Sequence, residues 1–208
     1  MENPLILVSI CNYNHSSYLL ESINSIQNQT YGNLDICIID DGSEDQEKVI
    51  ELVESLKKDD KRIRLLLNKE NKGKWNCLNN SIASTEAIVC TAHDADDVSL
   101  KDRIEIQYNS MKYSNTVHNL CGFYHCWSNE EVQEKKEITF PKTQNISIID
   151  PKDVTKFVVD GYMHPGINHY YTGDFETAGV TAMFLRDVWQ IGFRFLPAGL
   201  GLRTLMSE

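Results

Sequence analysis

Residues 8–45 read VSICNYNHSSYLLESINSIQNQTYGNLDICIIDDGSED. The apolar run that leads into this stretch, residues 5–10, is short and rich in branched side chains, the signature of a buried strand. Asn12-Tyr13-Asn14 breaks it. Ser16 or Ser17 then caps a helix whose apolar face is Leu19, Ile23 and Ile26. A second buried run, residues 36–39, ends in Asp40-Asp41-Gly42. Ser43 followed by Gln46 reads as a capping box, opening a helix striped by Val49, Leu52, Val53 and Leu56. Lys57 and Lys58 close it with the sign its dipole favours.

The same alternation continues outward. Residues 63–67 read as a third strand, residues 68–73 as a polar loop, and Trp75, Leu78 and Ile82 as one face of a helix. Residues 87–92 form a fourth strand that runs into His93-Asp94-Ala95-Asp96-Asp97. Strands alternating with helices predict an α/β fold, a mostly parallel central sheet with helices on both faces. No internal repeat interrupts it. The second half is less regular. Residues 121–127 read as a strand, the charged stretch 129–137 as a solvated hairpin tip, and Asp150-Pro151 as the opening of a helix through Val154, Phe157 and Val158. Residues 161–177, rich in Gly, His and Tyr, read as a binding loop. Residues 181–185 predict another strand and 186–191 a short helix stopped by Gly192.

Bulk properties narrow the function classes. The chain has 208 residues, enough for one sizeable core, and a formal net charge of -10. Such an acidic surface repels nucleic acid and gains nothing from an anionic membrane. Six scattered cysteines suit small core residues and a reducing, cytoplasmic setting. The N-terminus shows no secretory signal pattern, and no run approaches the roughly 20 apolar residues of a membrane span.

Chemistry gathers at the strand ends. In open parallel sheets, ligands bind outside the carboxyl ends of the strands. Three of the four strands end there in polar sets: Asn12-Tyr13-Asn14, Asp40-Asp41 and Asp94-Ala95-Asp96-Asp97. Aspartates at strand ends also cap turns, so Asp40-Asp41 alone decides little. In Asp94-Ala95-Asp96 an extended backbone turns both carboxylates to one side. Like charges that close are costly unless a cation neutralises them, and oxygen ligands suit Mg²⁺ or Mn²⁺. His93 reads as a structural neighbour of this group. Cys121, His125 and Cys126 lack a second pair at zinc spacing and read as an ordinary strand. Gly199-Leu200-Gly201 lacks the context of a dinucleotide fingerprint.

Three stretches together resemble the family 2 glycosyltransferases of GT-A fold: residues 8–45 quoted above, NKENKG before a helix, and AHDADDVSLKDRI at residues 92–104. AGVTAMFLRDVWQIGF, residues 178–193, is a weaker match. The resemblance implies a single domain over 1–208, its nucleotide-sugar-binding half at 1–98 and its acceptor-binding half at 99–208. It implies that Tyr13 lies against a nucleotide base and Asp41 hydrogen-bonds it. Asp96 binds a divalent metal on the donor diphosphate, and Asp94 contacts the ribose or the metal. Lys74, just after Gly73, is placed to approach the diphosphate or else to stay solvated at a helix start. Asp97 supports the metal site or, by preference, caps the next helix. His164, His169, Tyr162, Tyr170 and Tyr171 line an acceptor pocket or form a plain loop.

The reaction implied is sugar transfer with inversion from a nucleotide donor, UDP-linked for choice, to a glycan or lipid-linked acceptor. Surface-glycan assembly, with peripheral association at the inner membrane face, is the usual setting. The family's base lies in an acidic pair after the acceptor loop. Here GLGLRTLMSE closes with Glu208, a weak stand-in, and a chain truncated before its base is the expectation. A non-catalytic sugar-nucleotide-binding module is the alternative. A sugar nucleotidyltransferase ranks lower, for want of a glycine-rich basic loop after the first strand.

Overall fold

A computed structural model describes residues 3–119, 121–123, 126, 129–136, 176–177 and 182–187. Four strands alternate with helices: β1 (Ile6–Asn12), α1 (Ser16–Gln27), β2 (Leu34–Asp41), α2 (Gln46–Asp59), β3 (Ile63–Asn68), α3 (Lys74–Ala83) and β4 (Val89–Asp94). Then come α4 (Arg103–Ser114), β5 (His118–Asn119), β6 (Gly122–Phe123), α5 (Asn129–Lys136), β7 (Glu176–Thr177) and β8 (Met183–Leu185). The main sheet has the order β3-β2-β1-β4-β8-β5, and β6 pairs with β7 in a second, two-stranded sheet. β1 to β4 run parallel, while β8 is antiparallel to both β4 and β5.

The pleat sorts the core into two layers, because alternate residues face opposite sides. Ile6, Val8 and Ile10 with Ile36 and Ile38 pack against Leu19, Ile23 and Ile26 of α1, Val49 and Val53 of α2, and Ile104 and Met111 of α4. Leu7, Cys37, Ile39 and Cys90 face the other way, onto Cys77 and Ile82 of α3. Helices therefore cover both faces, as the alternation predicts. Full burial of one such side chain contributes about 1.5–3 kcal/mol, so the strand runs alone account for much of the fold's stability.

Several local expectations need correction. β1, β2 and β4 continue past their apolar runs to Asn12, Asp41 and Asp94, because backbone pairing carries on after side-chain burial stops. The Ser43–Gln46 capping box does not form. Asp45 is the N-cap of α2 without a side-chain cap bond, and Ser43 and Gln46 both turn to Asp40 instead. Residues 129–136 of the stretch expected as a hairpin tip are the helix α5. Its Glu, Gln and Lys are strong helix formers, and Glu130 and Glu131 suit its first turn. Gln133 Nε2 donates to Glu21 Oε1 of α1 at 3.4 Å. Within 121–127 and 161–177, the described pairing is the short one of β6 with β7. The helix expected from Asp150 and most of the 161–177 loop lie outside the described residues, as does 188–191 of the last helix.

Candidate functional site

The polar ends of β1, β2 and β4 lie side by side, because β1 is hydrogen-bonded to both neighbours. Register pairs Asn12 with Asp40 and Cys11 with Asp94. Just beyond, Asn14 takes a positive φ of 58°, a conformation that asparagine tolerates. Its amide donates to Ser43 Oγ at 2.9 Å, and the Glu44 amide donates to Asn14 Oδ1 at 2.9 Å. This turn leaves the Tyr13 ring 44% exposed at the rim.

The two aspartates ending β2 have separate tasks. Asp40 is 0% exposed. It accepts from Asn12 Nδ2 at 2.6 Å, the Ser43 amide at 3.1 Å, Ser43 Oγ at 2.6 Å and Gln46 Nε2 at 2.7 Å. Asp41 accepts from Asn68 Nδ2 at 2.7 Å and from the Lys72 and Gly73 amides at 3.0 and 2.8 Å. Burial works to raise the Asp41 carboxyl, yet these hydrogen bonds outweigh it and the net direction is down. Asp41 therefore stays anionic and anchors the loop into α3, a task the sequence reading did not assign to it. Gly42 makes that approach possible. Its φ is +74°, and a Cβ there would meet the Glu70 backbone at 2.7 Å.

Lys74 opens α3, and its ammonium is paired with the Asp94 carboxylate. Asp96 is half exposed, with Oδ2 3.2 Å from His15 Nδ1. The reading of the rim had passed over His15, although it stands directly after Asn12-Tyr13-Asn14. The Asp97 carboxyl is pushed up to about 6, by the protein crowded around it and then by the charges of Asp94 and Asp96. Asp97 does not cap α4. The helix begins at Arg103 with Asp102 at its N-cap, and the Asp97 amide closes a turn onto the Asp94 carbonyl at 3.2 Å. His93 is 2% exposed. Burial, then the Arg103 charge, pushes it down to about 3, which keeps the ring neutral.

Of the candidate residues, the structure brings Asp41, Lys74 and Asp94 into one chain of contacts through Gly73, with Asp96 and Tyr13 on the same rim. Glu208, His164, His169, Tyr162, Tyr170 and Tyr171 lie outside the described residues. Cys121 and Cys126 are not disulfide-bonded, and His125 lies outside the described residues. Among the described residues, no group of three metal-ligating side chains converges. Mg²⁺ and Mn²⁺ are commonly held by one or two carboxylates and completed by substrate phosphates. Asp94 and Asp96, near each other at the end of β4, are the oxygen donors such a cation would relieve. Among the described residues, no helix is long and apolar enough to cross a membrane.

Comparison with known proteins points the same way. Residues 7–188 match the family described as Glycosyl transferase family 2. An uncharacterized glycosyltransferase of Haemophilus influenzae is 43% identical over 106 residues, covering 50% of this chain and 32% of the relative. The Escherichia coli enzyme UDP-Glc:alpha-D-GlcNAc-diphosphoundecaprenol beta-1,3-glucosyltransferase WfgD is 28% identical over 148 residues, 68% of this chain and 56% of its own. The chain thus spans about a third to just over half the length of these relatives. Among solved structures, S. aureus TarS with UDP-GlcNAc aligns at a TM-score of 0.57 and 15% identity, over 89% of this chain and 46% of TarS. The mannosyltransferase PcManGT of Pyrobaculum calidifontis, with GDP-Man and Mn²⁺, aligns at 0.55 and 17%, over 93% and 48%. At these identities the likeness speaks for the fold, which is GT-A.

Proposed function

The chain belongs to glycosyl transferase family 2, and from that premise we propose that it binds a nucleotide-sugar donor, UDP-linked, and passes the sugar to a hydroxyl of a glycan or lipid-linked acceptor. One observation carries the reading: an exposed tyrosine, a loop-anchoring aspartate, a Lys–Asp pair and a half-exposed aspartate stand together on one strand-end rim. The UDP-glucose and diphosphoundecaprenol in the name of the E. coli relative support the donor and acceptor classes.

Each residue has a physical task in this reading. Tyr13 offers its exposed ring as a stacking face for the base, and Asp41 beside it accepts a base N–H. Lys74, now neutralised by Asp94, exchanges that carboxylate for the donor diphosphate. Asp96 and Asp94 would hold Mn²⁺ or Mg²⁺ together with the diphosphate. Bound there, the ion supplies Lewis-acid stabilisation of the charge that grows as the nucleoside diphosphate leaves. The acceptor half is 99–208, and transfer is a single displacement with inversion, as the family resemblance implies. Transfer also needs a base to take the acceptor proton; Glu208, the stand-in offered by the sequence, lies outside the described residues.

Calorimetric titration with UDP, GDP and dTDP, each with and without Mn²⁺, tests the donor site on the wild-type chain and on Asp96→Ala. Mn²⁺-dependent binding of UDP in preference to the other two, weakened at least tenfold in the variant, is expected. Equal binding with and without metal, or none of any nucleotide, overturns the reading. Donor binding with no transfer to any lipid-linked or glycan acceptor would favour the non-catalytic module.

A further inference from the structure

Beneath the carboxylates lies a polar cluster that the donor site does not use. Arg103, the first residue of α4, reaches back under the loop after β4. Its Nε donates to Gln107 Oε1 at 3.0 Å. Nη1 donates to Ser99 Oγ at 2.9 Å and His93 Nδ1 at 3.2 Å. Nη2 donates to Thr91 Oγ1 at 2.7 Å and the Ala92 carbonyl at 3.0 Å. A guanidinium has five N–H donors and no acceptor, so the whole fork is occupied. Because Arg103 can only donate, His93 Nδ1 is the bare ring nitrogen and the proton sits on Nε2. All five partners are neutral, so the fork is not half of an ion pair.

The positions of those partners give the cluster its meaning. Thr91, Ala92 and His93 are the strand residues that lead into Asp94, and Ser99 lies on the loop that carries Asp96. One side chain thus ties the strand of one carboxylate to the loop of the other. Residues of α1 and of the turn after it hold the same loop. Ser22 Oγ donates to the Asp94 carbonyl at 2.9 Å, the Ser99 amide to Ser25 Oγ at 3.0 Å, and Gln29 Nε2 to the Leu100 carbonyl at 2.8 Å. Among the described residues, the Asp94 carboxylate meets Lys74 and the Asp96 carboxylate meets His15. The backbone that carries both is tied down by Arg103 and by residues 22–29.

We propose that Arg103 is a positioning residue for Asp94 and Asp96: its fork fixes the spacing of the two carboxylates and thereby the affinity of the metal–diphosphate site, without touching the ligand. The inference rests on the donor site described above. Lysine retains the charge but not the planar fork. Outer partners that orient metal ligands typically change metal affinity by about 10- to 100-fold.

The test is calorimetry on the full 208-residue chain, with UDP alone and with UDP plus Mn²⁺, for wild type and Arg103→Lys, each first checked for folding by circular dichroism. Arg103→Lys is expected to weaken the Mn²⁺-dependent binding by about 10-fold or more while UDP alone binds within about twofold of wild type. Ser99→Ala, which removes one acceptor and leaves the guanidinium in place, serves where the lysine variant does not fold. Its metal-dependent affinity is expected to fall by less than that of the lysine variant, with binding of UDP alone unchanged. Equal losses with and without metal, or no loss, overturn the positioning role alone. A wild-type chain that shows no Mn²⁺-dependent UDP binding overturns the donor-site reading and this role with it.

Discussion

The rim at the end of β2 and the rim at the end of β4 are both acidic, yet they are built on opposite principles. At Asp40, four donors surround a fully buried carboxylate, and Asn12, Ser43 and Gln46 are each committed to it. At Asp94, Asp96 and Asp97, carboxylates crowd one another, Asp96 is half exposed, and Asp97 is raised first by the surrounding protein and then by Asp94 and Asp96. A saturated buried anion organises structure. A crowded, accessible set of anions is left with something to bind.

That contrast can be broken in order of size. Asp40→Ala strands the donors of three residues in the core and is expected to cost about 3–5 kcal/mol in urea unfolding. A loss below about 1 kcal/mol would make Asp40 a bystander. Gly42→Ala forces a side chain at positive φ against the Glu70 backbone, for an expected loss of about 1–3 kcal/mol and a displaced 68–73 loop. Asp96→Ala removes one half-exposed contact with His15. It should stay within about 0.5 kcal/mol of wild type while the Mn²⁺-induced rise in melting temperature disappears with UDP present.

Two titrations, one at the β4 rim and one at Asp60, the C-cap of α2, carry opposite signs. The guanidinium of Arg62 holds Asp60 well below the usual carboxylate range. A depressed folded-state pKa gives stability that is present above the unfolded value, near 4, and is lost as pH falls. Asp60→Asn should flatten that acid slope. Asp97 runs the other way: its folded value, about 6, lies above the unfolded one, so stability falls as pH rises from about 4 to 6. Asp97→Asn should remove that decline. Unchanged slopes in either variant, read as unfolding midpoints across pH, would refute the assignment concerned.

The parallel half was legible because buried strands announce themselves as short branched runs, and Leu19, Ile23 and Ile26 keep a helical period. What escaped were competitions between polar groups. Ser43 and Gln46 have the spacing of a capping box, but a carboxylate three residues before Ser43 outbids the helix amides. Asp40 and Asp41 are adjacent and chemically identical, so only the pleat and the loop at 68–73 tell them apart. Arg103 reads as an ordinary surface cation of a helix start, since nothing local reveals that its acceptors lie up to twelve residues earlier. α5 has one apolar residue, Val132, in eight, too little for a periodicity argument. The antiparallel direction of β8 is a tertiary fact with no local signature.

The chain leaves the main sheet at β5 and returns at β8, and those two strands are hydrogen-bonded neighbours. The excursion between Asn119 and Met183 is therefore tied off at its base, like a cassette clipped into the sheet edge. The entropic penalty of such a closure grows only logarithmically, by roughly 0.6 kcal/mol for each doubling of length. A change in the length of that excursion therefore carries little closure penalty, while β1, β2 and β4, which carry the polar rim, stay paired as they are.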